Sequence, residues 1–450
     1  MQMKNKGLLT GSQNLVAERE IVSTTVRGAP VCGMCAMDCR LSRPHGMAAG
    51  RVLPWLSKPL LVALLLLLSF DFAAAGVREQ ARRIHDRLAG VPPTDQVLND
   101  METAINLGGG SEQAYIDAAY VAMQNSAFYR VTLKNYAAPW TNRDQDQFVA
   151  LNDYIATVIG MVRDDDTPDY VPFNEVLSAD ILYVGGGGLG LPGYSPANNN
   201  HYAEMESRDL DLGDSNVLVK SSQTGNGAQP AGVAGVLTTR AAAEAFFVAG
   251  TNRAMFRFTM LNHLCNDMEQ VQDTSRTPDR IRQDVSRSPG GDSRVFLNNC
   301  IGCHSGMDPL TQAFAYHDYD EGSGQMVYDT TAVRPKYFNN EDTFKYGFVT
   351  PNDQWANYWR EGPNRWIDWD FGPSSPGGSG SGAASMGREL ANSRAFASCQ
   401  VKKAFRAVCL REPADQNDLD EISDMTVSFR DNGYRMKRVF AEAANYCKGS

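Results

Sequence analysis

Residues 300–309 read Cys300-Ile301-Gly302-Cys303-His304-Ser305-Gly306-Met307-Asp308-Pro309. Two thiols stand three residues apart and an imidazole follows the second. This C-x-x-C-H spacing is that of c-type haem attachment. Each thiol can form a thioether with one of the two haem vinyl groups, and the adjoining histidine can become the proximal iron ligand. On this reading Cys300 and Cys303 hold the haem covalently, His304 ligates the metal, and Met307 and Pro309 belong to the haem pocket. Asp308-Pro309 is expected to shape a turn after the haem, the aspartate accepting backbone N–H groups and the proline fixing the next φ.

The other axial position separates a carrier from a catalyst. A methionine or a second histidine there gives an electron-transfer site, whereas an open position permits small-molecule or peroxide chemistry. Met386, between a flexible stretch and the C-terminal helices, is the first candidate for the distal ligand. His263 and His317 are the alternatives, and Met307 sits too close in sequence to leave the proximal side.

Upstream, Leu60 to Phe70 is almost wholly apolar, with Arg51 and Lys58 before it and Ala73-Ala74-Ala75 after it. A positive flank, a short apolar core and small residues at a cleavage point make a secretory signal. The run is short for a bilayer span. Met47 is the better start, giving a signal over 47–75 and leaving 1–46 as a non-native prefix. The alternative is a cytoplasmic tail on a signal anchor, with Cys32, Cys35 and Cys39 binding a metal. Export implies the periplasm or cell surface of a Gram-negative bacterium, with no stable membrane span once the signal is removed.

Nine cysteines are present. Setting aside three in the prefix and two in the haem motif leaves Cys265, Cys399, Cys409 and Cys447, an even set for an oxidising compartment. Cys399 and Cys409 read as sharing one helix, about 15 Å apart along its axis, too far to pair without bending it. If the chain breaks at Asn432-Gly433, the last helix folds back and brings Cys447 to Cys409. Cys265 then remains for Cys399.

The charge is acidic. Residues 1–75 hold eight of the 42 Lys/Arg and four of the 52 Asp/Glu, so residues 76–450 carry 34 basic against 48 acidic groups, a net charge near −14. That disfavours nucleic acid and anionic lipid as partners. Asp318, Asp320 and Glu321 form an acidic run, solvated or able to steer a basic redox partner.

The expected fold is mainly α: helical domains with long irregular loops around a single haem module, with few or no strands. Residues 76–170 form an N-terminal helical domain (helices over 77–88, 96–105, 112–123 and 148–161), and 171–235 a loop-rich segment with one short strand at 181–184. The haem module covers 236–372, with helices over 240–248, 253–265, 277–287, 293–298 and 309–316 and an aromatic loop. A Gly/Ser/Pro linker spans 373–385, and 386–450 is a C-terminal module of helices over 387–410, 416–430 and 434–447. Gly185, Gly187 and Gly190 match G-x-G-x-x-G, but Pro192-Gly193 follows where a phosphate-binding helix would have to open, so this is a glycine loop. The aromatic loop, with Trp355, Tyr358, Trp359, Trp366, Trp369 and Phe371, is either a wall of the haem pocket or a small satellite core.

The 300–309 block, followed by Phe314, resembles the C-x-x-C-H-x-x-x-D-P block of planctomycete-type cytochrome c proteins, exported haem-module proteins with little assigned chemistry. Residues 231–238, Ala-Gly-Val-Ala-Gly-Val-Leu-Thr, resemble the R-G-G-L-T opening of that family's haem module. Phe396-Ala397-Ser398-Cys399 with Arg411-Glu412-Pro413 is similar to its C-terminal module, and Phe173-Asn174-Glu175 through Ala179-Asp180 to the module before the haem. The likeness covers roughly 171–450. Leu410 departs from it, standing where the family has glycine before Arg-Glu-Pro. The resemblance implies a haem-bearing, mainly helical, exported protein and supplies no reaction.

Together these point to an exported monohaem c-type cytochrome carrying one haem c and transferring single electrons with a redox protein partner. A haem-dependent oxidoreductase of peroxidase or oxidase type is one alternative, kept open by a chain much larger than one haem requires. A surface binding protein with a structural haem is the other. No G-x-S-x-G, H-E-x-x-H or second haem motif occurs, which favours a carrier over a self-contained enzyme.

Overall fold

Residues 76–248, 252–276, 280, 294, 296–334 and 348–449 are described by a computed structural model, and all belong to one unit, Phe72–Ser450. The prefix, the signal and the three N-terminal cysteines lie outside the described residues, as does nearly all of the helix expected over 277–287. What is described is mainly helical, with three two-stranded antiparallel pairs.

Local capping sets the first helices. α1 (Val77–Ala89) stops where Gly90 turns left-handed at φ 70°, a conformation glycine adopts without side-chain strain. α2 (Asp95–Leu107) and α3 (Glu112–Ala122) begin at Thr94 and Ser111, whose hydroxyls accept the N–H groups of Val97 and Ala114. α4 (Asp153–Arg163) starts at Asn152 and is buried along its whole length, which makes it the central helix. The pattern read from Phe148 onward becomes helical only at Asp153, and Phe148 itself is exposed.

The loop-rich crossing pairs β1 (Leu182–Gly185) with β2 (Leu218–Ser221), Leu182 opposite Ser221, and adds the short helix α5 (Asn200–Ser207). After β1 comes a 3-10 turn at Gly187–Leu189 and a left-handed Gly190; the next helix is α5. The glycine run is a loop, as its prolines indicate. β3 (His317–Asp320) and β4 (Gln325–Tyr328) form a hairpin that carries the acidic run.

α6 (Arg253–Leu264) and α7 (Ile301–Thr311) pack together, and α6 also packs against α9 (Arg394–Cys409). α10 (Gln416–Asp431) and α11 (Met436–Tyr446) complete the C-terminal module, and α11 packs on α3 and α9. Two disulfides close this arrangement. Cys265, just past α6, joins Cys399 in α9, and Cys409, ending α9, joins Cys447 after α11, with Cα separations of 5.4 and 5.5 Å. These are the pairs expected from the helix geometry.

Three differences from the sequence reading have local causes. The single helix expected over 387–410 is two, α8 (Ala383–Ala391) and α9, because Ser393 breaks the run and caps α9 by accepting the N–H of Phe396. Within 373–385, Ser379–Ser381 forms β6, which pairs with β5 (Gln354–Ala356). Asp308-Pro309 makes no turn: both residues are inside α7, and the Asp308 side chain bonds to other side chains. No described helix is long and apolar enough to cross a membrane.

Candidate haem-attachment site

α7 carries the motif. A π-type turn over Phe296–Cys300 leads into it, so Cys300 sits at the helix N-terminus and Cys303 and His304 in its first turn. Cys300 and Cys303 are free thiols and half-buried, whereas Cys265, Cys399, Cys409 and Cys447 are all in disulfides. The Cys303 thiol donates to the Met268 carbonyl at 3.2 Å, and burial followed by the neighbouring Cys300 pushes it up from the ordinary thiol value.

Residues 268–273 hold α7 from one side. The Asp273 N–H donates to the Gly302 carbonyl at 2.8 Å, and the Ser305 hydroxyl donates to the Asp273 carbonyl at 2.8 Å. Met307 and Pro309 are buried, as expected of pocket or core residues. The proline lies in the helix, where it gives up the bond its N–H would have made to the fourth residue back.

His304 is fixed by an arrangement the sequence reading did not anticipate. Its Nδ1 lies 3.1 Å from Asp308 Oδ1, one helical turn on. Asp308 also receives a two-pronged bond from Arg253 at the start of α6, Nε to Oδ1 at 2.8 Å and Nη2 to Oδ2 at 3.0 Å. The guanidinium pairing marks Asp308 as a carboxylate, which only accepts, so the proton of this bond sits on His304 Nδ1. Iron would then be met through Nε2. The i,i+4 spacing of His304 and Asp308 was visible in the sequence; nothing there indicated Arg253.

The other candidates lie outside α7. Met386 is fully buried in α8, which packs against the 3-10 turn Gln312–Phe314 that follows α7. His263 is fully buried in α6, its Nε2 bonded to the Tyr154 hydroxyl at 2.7 Å and its ring between Trp140 and Phe396. Burial, with the Lys403 amine beside it, holds His263 well below the ordinary imidazole value. His317 Nε2 bonds the Gly232 carbonyl at 2.9 Å, with Phe247 and Tyr328 around the ring. Both histidines therefore use Nε2 to hold the core.

Of the aromatic loop, Trp355, Trp359 and Trp369 are buried and Trp366 is exposed. Trp359 lies against Gly306 of α7 and 5.9 Å from the ring of Phe256. A cleft of about 1020 Å³ opens elsewhere, between Trp140, Tyr136, Lys403, Arg406, Asp267 and Glu269, and none of the motif's residues lines it.

The donor set suits a c-type haem: two thiols outside any disulfide at the start of one helix, and an imidazole with one nitrogen anchored. Comparison of the chain with protein-family models, curated proteins and solved structures gives no match.

Proposed function

We propose that this chain is an exported monohaem c-type cytochrome that passes single electrons between a redox protein partner and a further acceptor. One observation carries the reading. Of the six described cysteines, the only two left as thiols are those of the C-x-x-C-H run, and the histidine beside them is already oriented. Disulfides persist in oxidising compartments, and a thiol pair left reduced there needs a chemical reason. Haem attachment supplies one.

In this reading Cys300 and Cys303 bind the porphyrin as thioethers and His304 ligates the iron. The bound haem supplies one-electron chemistry. The chain's own part is to hold and insulate it. Arg253 and Asp308 orient the imidazole, the 268–273 segment pins the first turn of α7, and Met307 and Pro309 add buried apolar contact. Met386 is the proposed distal ligand. The net charge near −14 over 76–450 would steer a basic partner. The likeness of the 300–309 block supports grouping the chain with the planctomycete-type cytochrome c proteins, and the 47–75 signal supports its export.

The test is the absorption spectrum of the protein made with haem-attachment machinery, oxidised and reduced, with and without carbon monoxide. A covalently bound haem whose reduced bands ignore carbon monoxide is the expected result. A fast carbon monoxide complex would show an open iron and favour the oxidoreductase reading, and a haem-free protein would end both.

A further inference from the structure

We propose that Asp308, tuned by Arg253, is a positioning residue that makes His304 a strongly donating iron ligand and lowers the reduction potential of the haem. This rests on the haem reading of residues 300–304. The first ground is the nature of the acceptor: His304 Nδ1 bonds a carboxylate oxygen at 3.1 Å. A charged acceptor draws the Nδ1 proton more strongly than a carbonyl does, and that raises electron density at Nε2. A richer ligand favours ferric over ferrous iron.

The second ground is rigidity. His304 and Asp308 are one turn apart on α7, so the helix itself sets their approach, and the Asp308 side chain is only 2 % exposed. Water does not compete for it. The third ground is the sharing of one oxygen. Asp308 Oδ1 accepts both His304 Nδ1 at 3.1 Å and Arg253 Nε at 2.8 Å. The guanidinium draws on the same lone-pair density, so it moderates the pull on the imidazole. Asp308 and Arg253 thus act on the iron in opposite directions through a single atom.

The experiment is redox titration of the haem-loaded full chain and three variants. Asp308→Asn should raise the potential by a tenfold change in the reduction equilibrium, about 59 mV for one electron. Arg253→Gln should lower it. Asp267→Asn removes an equal charge from the Arg257 pair, on the turn that holds Cys303, without touching His304; it should move the potential far less. Equal shifts for Asp267→Asn and Asp308→Asn, or no shift with Asp308→Asn, would overturn the inference. A second readout needs no haem: nitrogen NMR of the unloaded chain should find the proton on His304 Nδ1, with Asp308→Asn weakening that preference. A proton on Nε2 in the unaltered chain would equally overturn it. Absence of covalent haem from every form would instead count against the haem reading, leaving the NMR result to judge Asp308.

Discussion

Trp359 lies on Gly306 so closely that a β-carbon at that position would overlap the indole ring. Gly306 follows His304 by two residues on α7, which turns it roughly 200° around the helix. The tryptophan therefore backs the side of α7 turned away from His304. Gly306→Ala should cost about 1–3 kcal/mol by overpacking, read as a lowered thermal midpoint. An unchanged midpoint would show that Trp359 can move aside.

The disulfides should matter in proportion to the chain they close. Cys409–Cys447 spans 38 residues and Cys265–Cys399 spans 134. Chain-entropy arguments put the losses on removal at about 4 and about 5 kcal/mol. Denaturant melts of the paired Cys→Ser variants should rank them in that order. The Cys265–Cys399 variant should also lose protection in 268–273, which runs from that bridge to α7.

Leu410 ends α9 in the left-handed region at φ 57° and is largely exposed. A left-handed backbone costs a side-chain-bearing residue about 1–2 kcal/mol, and glycine gives back about 0.5–1 through its freer unfolded state. The backbone term wins. Leu410→Gly should raise stability by about 0.5–1 kcal/mol in a denaturant melt, despite the loss of a large apolar side chain.

Much of this architecture was legible. Apolar spacing placed helices over 77–88, 96–105 and 112–123, close to α1, α2 and α3, and the ten-residue spacing of Cys399 and Cys409 on one helix constrained the disulfides. What escaped depended on contacts distant in sequence. Asp-Pro reads locally as a turn, yet Asp308 stays helical because Arg253, 55 residues earlier, and His304 take up its carboxylate. The aromatic loop read as a satellite core before a haem wall, and only Gly306 fixed which side of α7 Trp359 covers. Ser393 could have been read as a cap, but the apolar run on both sides of it suggested one continuous helix.

Asp165 should give stability a distinctive pH dependence. Its side chain is buried, its Oδ2 accepts the Lys437 N–H at 2.7 Å near the start of α11, and its Oδ1 has no hydrogen-bond partner among the described residues. Burial pushes it up to about 7, against about 3.9 for an unfolded aspartate. In that window the folded chain keeps a proton that the unfolded chain has released. Its contribution to stability therefore falls as pH rises from about 4 to 7 and is smallest above 7. Asp165→Asn should recover on the order of 2 kcal/mol at pH 8 and little at pH 4. Glu421, also pushed up to about 7, acts in the same sense, so the slope should shrink without vanishing.

The central claim is covalent haem on Cys300 and Cys303, and intact-protein mass spectrometry under denaturing conditions tests it most directly. The chain made with haem-attachment machinery should carry the mass of one haem through denaturation, and Cys300→Ser/Cys303→Ser should lose it while keeping both disulfides. A chain that carries no haem, or a double variant that still retains it, would contradict the account.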